Sequence, residues 1–328
     1  MSLTLEIAVE SFPIAGSFTI SRGSRTEAVV VTATLSDGRV TGRGECVPYA
    51  RYGETVDGVV VAIRTVEPHL AEPGFDRARL AEVMPAGAAR NALDCALWDL
   101  EAKRAGVPVA ERLGLAATTP LVTAYTLSLG TPESMGDAAK AAAARPLLKV
   151  KLGGDGDPER IAAVRAGAPT SRLIVDANEA WRAANLAANL AACEAAGVEL
   201  IEQPLPAGED DALRGLTTPI ALCADESLHT VADLAKLRDR YSAINIKLDK
   251  AGGLTEALAI AAEAKRLGYR IMIGCMVGTS LAMAPAAILA RIADFVDLDG
   301  PLLLARDRVP GLRYEGSLMY PPEPALWG

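Results

Sequence analysis

LLKVKL, residues 147–152, reads as a buried strand that carries two charges, Lys149 and Lys151. Side chains two apart on a strand share a face, so two ammonium groups lie side by side in an apolar setting. That is costly unless carboxylates or a metal site balance them. An edge strand with a solvated lysine face accounts for the same spacing. The sharper reading is a catalytic lysine whose neighbour lowers its pKa. Runs of the same kind recur: LVTAYTL (121–127), RLIVDA (172–177), VELIEQ (198–203), IALCAD (220–225), AINIKL (243–248), RIMIGC (270–275) and DFVDLD (294–299). Helical stretches rich in Ala, Leu, Glu and Arg separate them, at a step of about 25 residues, as in βα units. With LLKVKL they predict an α/β fold, a TIM-like (β/α) barrel of parallel strands joined by right-handed crossovers. A doubly wound open sheet is the other arrangement such a pattern allows.

The first third of the chain is different. AVVVTATL (28–35), the turn signal SDG and RVTGRGECVP (39–48) predict a hairpin. GAARNALDCALWDLEAKRA (87–105) has helical apolar spacing and is closed by Gly106 and Pro108. Residues 1–115 therefore read as a small α+β domain and 116–305 as the barrel. Residues 306–328 lack the βα pattern and are expected to return to the first domain.

The chain has 328 residues, 50% of them hydrophobic, enough for a sizeable core. A net charge of -8 and the lack of any basic run argue against nucleic acid and anionic membranes as partners. The five cysteines are widely spaced with no CxxC pair, which disfavours a disulfide framework or zinc site and favours a reducing compartment. The N-terminus lacks a signal-peptide layout, and no apolar run is long enough to span a bilayer. A cytoplasmic protein is expected. The oligomeric state is open, a homo-oligomer included.

Polar residues fall at the strand ends, where barrel active sites lie. Asp176, Glu202 and Asp225 end three consecutive strands. A single acid there is explained as a helix cap, with Asn178 and Ser227 as further candidates. Three converging carboxylates instead need a cation between them, and oxygen-only ligands suit Mg²⁺. In a closed ring of eight, the strand of Lys151 lies opposite that of Lys247, and the metal strands face Asp297 and Asp299. A ligand with a carboxylate at the metal end and an ammonium at the other would hold its middle between two lysines. That suits 1,1-proton transfer: one lysine removes an α-proton, the other returns one to the opposite face, and Mg²⁺ stabilises the enolate. The base must be neutral near pH 7, so the pKa of Lys151 is expected to fall, with Lys149 tuning it and contacting the carboxylate. Lys247 is preferred over Lys250, a solvated-loop residue in this reading, because Ile244, Ile246 and Leu248 place it inside the strand. His229 reads as a helix-start surface residue or a group near the site. Cys275 and Met276 read as pocket or packing residues, and GGDGD (153–157) as a loop.

LLKVKL, IVDANEAW, IEQPLP, CADES, NIKLDKAGG and DLDGP, with TGRGECVPYARYGE and PAGAARNALDCALWDL, resemble the enolase superfamily and within it the dipeptide epimerases. The resemblance spans nearly the whole chain. It implies a modified (β/α)₇β barrel with an α+β cap built from both termini. It also implies one Mg²⁺ on Asp176, Glu202 and Asp225, Lys151 and Lys247 as the acid/base pair, and Asp297 and Asp299 on the substrate's ammonium. A dipeptide's ammonium and carboxylate lie on the order of 7 Å apart, a fitting span. An N-acylamino acid has no ammonium to meet those acids. The loop SFTISRGSRTE (17–27) resembles the capping loop of epimerases acting on L-Ala-D/L-Glu, with Arg25 at the position that meets a glutamate side chain and Arg22 its competitor. The implied role is recycling of cell-wall peptide. A lyase or cycloisomerase of the same superfamily, such as an o-succinylbenzoate synthase-like enzyme, would share the metal and lysines without needing Asp297 and Asp299. An N-acylamino acid racemase is a further alternative.

Overall fold

The computed structural model describes residues 3–72 and 74–328. Its N-terminal sheet is antiparallel, in the order β1 (Thr4–Ile20), β2 (Gly23–Ser36), β3 (Thr41–Cys46). The expected hairpin is β2–β3. The long first strand was not expected. Its alternation Leu5, Ile7, Val9 changes phase before Phe12 and Ile14, and Pro13 and Gly16 disguise it; an edge strand tolerates such a proline. β1 pairs with β2 from Thr4↔Ser36 to Ile20↔Gly23, with an irregularity between Pro13 and Phe18. Residues 17–27, read as a loop, thus form the tip of a long β-hairpin.

The helix Ala88–Ala105 lies where the apolar spacing predicted it, and Gly106 closes it in left-handed backbone (φ 64°). β3 packs directly on this helix. A Cβ at Gly42 would lie 2.1 Å from the Ala96 carbonyl oxygen, and one at Gly44 2.1 Å from that of Ala92. Only glycine permits that approach.

The second sheet is parallel and runs in chain order through eight strands. After β4 (Leu121–Val122), which lies outside it, come β5 (Tyr125–Leu127), β6 (Leu147–Lys151), β7 (Arg172–Asp176) and β8 (Val198–Glu202). Then follow β9 (Ala221–Ala224), β10 (Ala243–Ile246), β11 (Arg270–Ile273) and β12 (Phe295–Val296). The Ala124 amide donates to the Val296 carbonyl at 2.8 Å, bringing the first and last strands together. The run 121–127 is split: its first part pairs antiparallel with β14 (Leu318–Met319), which itself pairs with β13 (Tyr314–Glu315).

The C-terminal segment continues onto the helix Ala88–Ala105. Trp327 Nε1 donates to the Cys95 carbonyl at 3.0 Å, and the Gly328 amide donates to Asp99 at 2.8 Å. The N-terminal unit docks on the barrel through buried polar contacts. Arg90 reaches the carbonyls of Ala251 and Gly252, and Asp249 accepts from Val47 N and Asn91 Nδ2. Glu45 accepts from the amide and hydroxyl of Thr279 and from Arg308.

Candidate active site

The two-residue period of the strands builds the site in layers. Leu147, Ile174, Leu200, Cys223, Ala243, Met272 and Phe295 point into the barrel and form an apolar plug. Two residues further along each strand come Lys149, Asp176, Glu202, Asp225, Asn245, Gly274 and Asp297. The plug lifts this second layer to the barrel mouth. Gly274 leaves room within it, since a Cβ there would lie 2.6 Å from Asn245 Oδ1. One more step of two gives Lys151, Lys247 and Asp299.

The acids and lysines form one buried cluster. Single oxygens of Asp176, Glu202 and Asp225 lie within 4.8 Å of one another. Lys151 donates to Asp176 and Lys247 to Asp225, both at 2.6 Å. Lys149 lies 2.6 Å from Glu202 Oε2, 3.2 Å from Asp176 Oδ2 and 2.7 Å from Asp297 Oδ2. Its approach to Glu202 is an ion pair without hydrogen-bond alignment, which leaves that buried oxygen without a donor. A second buried oxygen, Asp297 Oδ1, also has none. Asp299 accepts from the Thr126 amide at 2.6 Å. An all-oxygen set with an under-satisfied carboxylate, neutralised by ammonium groups, fits a hard divalent cation.

Burial is the largest single influence on Asp176, Glu202, Asp225, Lys149, Lys247 and Asp299, and the neighbouring charges decide the outcome. Glu202 is pushed up to about 8 by burial and by the charge of Asp176. Asp176 is held below the usual carboxylate range, where Lys151 and Lys149 outweigh its burial. Asp225 is held low in the same way by Lys247 and Lys250. Burial works to lower Lys149 and Lys247, but Asp297 and Asp225 respectively, with Glu202, carry both well above the usual lysine range. That is opposite to the depression a neutral base requires, because carboxylates lie within hydrogen-bond distance of both ammonium groups. Asp299 is raised to about 7 by burial and by Asp297.

Three expectations are corrected. β10 ends at Ile246, so Lys247 follows the strand in extended backbone and precedes a short helix, Leu248–Ala251. Lys250 is not solvated: it is 2% exposed and bonds Asp225 and the Asn245 carbonyl. Asn178 and Ser227 cap no helix. Arg182 and Thr230 occupy the cap positions, while Asn178 N binds Asp176 and Ser227 N binds Gln203. His229 is half-buried, its ring edge-on to Tyr52 with centroids 4.7 Å apart.

A cavity of about 410 Å³ opens above the cluster, between Lys151 and Lys247 below and the β1–β2 hairpin above. Phe18, Arg22 and Arg25 line its upper wall, and Cys275 and Met276 line its side. The two arginines differ. Arg22 is committed to Glu226, Glu179, the Asn178 carbonyl and the Tyr49 hydroxyl. Among the described residues Arg25 has no carboxylate partner, and its guanidinium carbon lies 5.6 Å from the centre of the Tyr49 ring. Lys149, Asp297 and Asp299 are not among the lining residues, and each is at most 3% exposed. Sequence reasoning passed over Glu226, Glu179, Tyr49 and Asn245. The first three lie after β9, β7 and β3 respectively, and only the assembled mouth brings them together.

Residues 2–114 match the model of the mandelate racemase/muconate lactonizing enzyme N-terminal domain, and residues 134–320 match that of the enolase C-terminal domain-like family. The chain belongs to the enolase superfamily. It is 47% identical to the L-Ala-D/L-Glu epimerase of Escherichia coli (strain K12), over 95% of this chain and 97% of that protein. It is also 47% identical to an N-acetyl-D-glutamate racemase from a Pseudoalteromonas species, over 91% and 95% of the two chains. An enolase family member from Agrobacterium tumefaciens with homology to dipeptide epimerases superposes with a TM-score of 0.97. The two are 56% identical, over 99% of this chain and 100% of that one, and that structure holds sodium and L-Ala-L-Glu with an ordered loop. This superfamily member is an enzyme of the isomerase class. Among its described residues no helix is long and apolar enough to cross a membrane.

Proposed function

We propose that the protein is a Mg²⁺-dependent epimerase that interconverts L-Ala-L-Glu and L-Ala-D-Glu by inverting the glutamate α-carbon, in cytoplasmic recycling of cell-wall peptide. In this reading residues 1–115 and 306–328 form the cap of a 116–305 barrel. The observation that carries the proposal is that Lys151 and Lys247 flank one cavity from strand positions four apart in a ring of eight, beneath an arginine free to take a carboxylate. Two lysines on opposite faces of one carbon, one neutral to take the α-proton and the other protonated to return one, are what inversion by proton transfer needs.

Asp176, Glu202 and Asp225 would hold the cation, whose charge would ease the build-up of negative charge on the substrate's α-carboxylate. The remaining roles belong to the chain. Lys151 and Lys247 exchange the α-proton, each on its own face. Lys149 bridges the acids and contacts the same carboxylate. Asp297 and Asp299 receive the ammonium of the N-terminal residue, and Arg25 pairs with the glutamate side chain. The sequence similarity to the Escherichia coli epimerase and the L-Ala-L-Glu in the Agrobacterium structure support this substrate.

One observation favours a second reading, racemisation of an N-acylated glutamate. Asp297 is already paired with Lys149 through Oδ2, and Asp299 already binds the Thr126 amide, so each has a partner without an ammonium. Both readings keep the glutamate and Arg25. Chiral chromatography of L-Ala-L-Glu and N-acetyl-L-Glu, each with Mg²⁺ and with EDTA, separates them. Inversion of the dipeptide at a kcat/KM well above that of the N-acetyl compound, abolished by EDTA, is expected. The reverse preference would move the assignment to the racemase.

A further inference from the structure

The structure assigns Arg22 the role of a positioning residue. It latches the β1–β2 hairpin across the barrel mouth and thereby sets Phe18 and Arg25 above the two lysines. The side-chain hydrogen bonds of Arg22 all leave its own hairpin. Nη1 donates to the Asn178 carbonyl at 2.9 Å and to Glu179 at 3.1 Å, in the loop after β7. Nη2 donates to Glu226 at 2.7 Å, after β9, and to Tyr49 Oη at 2.9 Å, after β3. These bonds exist only while the hairpin is down, so their free energy falls entirely on the closed state.

The acceptors are preset. Glu179 is held by a bidentate pair with Arg51 and by the Ala207 amide, whatever the hairpin does. Asn178 and Glu179 adopt left-handed backbone, at φ 43° and 68°. Non-glycine residues rarely do so, and it holds the Asn178 carbonyl and the Glu179 carboxylate within reach of Arg22. Glu226 is buried, with one side-chain oxygen that has no partner, and Arg22 is its ion-pair partner among the described residues. Closing without the guanidinium would leave that buried carboxylate without an ion pair, with only the Asn178 Nδ2 bond at 3.4 Å, whereas lifting the hairpin returns it to water. A second, uncharged anchor lies within the tip, on the rung between Arg22 and Arg25: it joins Thr19 O to the Leu129 amide at 2.9 Å and Thr19 N to Ser128 Oγ at 3.3 Å. Ser21 Oγ adds one neutral bond, to the Asn178 carbonyl at 3.0 Å, so Arg22 supplies the charged bonds that hold the tip, three residues from Arg25.

The kinetic consequences rest on the epimerase reading; the latch itself does not. The test is hydrogen exchange over residues 17–28 and at the Leu129 amide, without substrate, in wild type, Arg22→Ala, Arg22→Lys, Glu179→Gln and Arg25→Ala. It is paired with kcat/KM for L-Ala-L-Glu and L-Ala-L-Leu. Arg22→Ala is expected to speed exchange at these amides about tenfold and to lower kcat/KM by a similar factor for both dipeptides, the effect of removing charge-assisted bonds. Arg22→Lys should recover part of both, and Glu179→Gln should share part of the loss. Arg25→Ala should leave the exchange unchanged and lose only the glutamate peptide. Unchanged exchange in Arg22→Ala, or a loss confined to L-Ala-L-Glu, would overturn the latch. A wild type inert toward every dipeptide would remove the epimerase reading and leave the latch to be decided by exchange.

Discussion

Lys151 and Lys247 sit alike yet are held differently. Lys151 pairs with Asp176, while Lys247 pairs with Asp225 and has Glu202 at 3.8 Å. Replacing either by Ala should lower kcat for epimerisation by roughly 10²–10⁴-fold, the usual worth of a positioned acid or base. Steady-state kinetics on enzyme of verified fold checks this. Arg25→Ala should lower kcat/KM for L-Ala-L-Glu by about 10- to 100-fold, as expected for lost charge-assisted bonds, and leave L-Ala-L-Leu nearly unchanged. The acids and lysines were legible in the sequence because strand period and strand ends fix where they point. The choice between Arg22 and Arg25 was not, because it depends on Glu179 and Glu226, more than 150 residues further along the chain.

At the scale of elements, the contact between β3 and the helix Ala88–Ala105 depends on small residues. Gly44→Ala should destabilise the protein by about 1–3 kcal/mol through overpacking against the Ala92 carbonyl, measurable by chemical denaturation. The same helix carries Asp94, which accepts from the amide and hydroxyl of Thr255 and is raised to about 6, burial being the largest cause. A carboxyl with a raised folded-state pKa binds its proton more tightly folded than unfolded. Its contribution is therefore full below the unfolded value near 4 and is lost as pH rises through about 6. Asp94→Asn should remove on the order of 2 kcal/mol of that pH dependence between pH 4 and 7. Parallel denaturation of the two proteins across this range measures it. The helix and the parallel strands were readable from periodicity. β1 was not, because its phase change and Pro13 hide it and its pairing with β2 is a tertiary fact. Nor was the burial of Lys250, since a lysine three residues past another reads as solvated until Asp225 is placed beside it.

At the scale of the whole molecule, a cap docked through Asp249, Glu45 and Arg90 closes one end of a barrel whose other end is plugged by apolar side chains. Charge balance in the buried cluster belongs to the assembled ring, since its carboxylates and lysines come from different strands. Saturating Mg²⁺ should raise the melting temperature through binding to the folded state, and EDTA should reverse the shift. Replacing Glu202 by Gln should blunt it. Scanning fluorimetry with and without the ion reads both. The central claim, inversion of a dipeptide's C-terminal α-carbon, is tested most directly by proton NMR of L-Ala-L-Glu with wild-type protein and Mg²⁺ in D₂O. Loss of the glutamate α-proton signal with growth of L-Ala-D-Glu is the predicted result. A glutamate α-proton that persists in every dipeptide tried would contradict it.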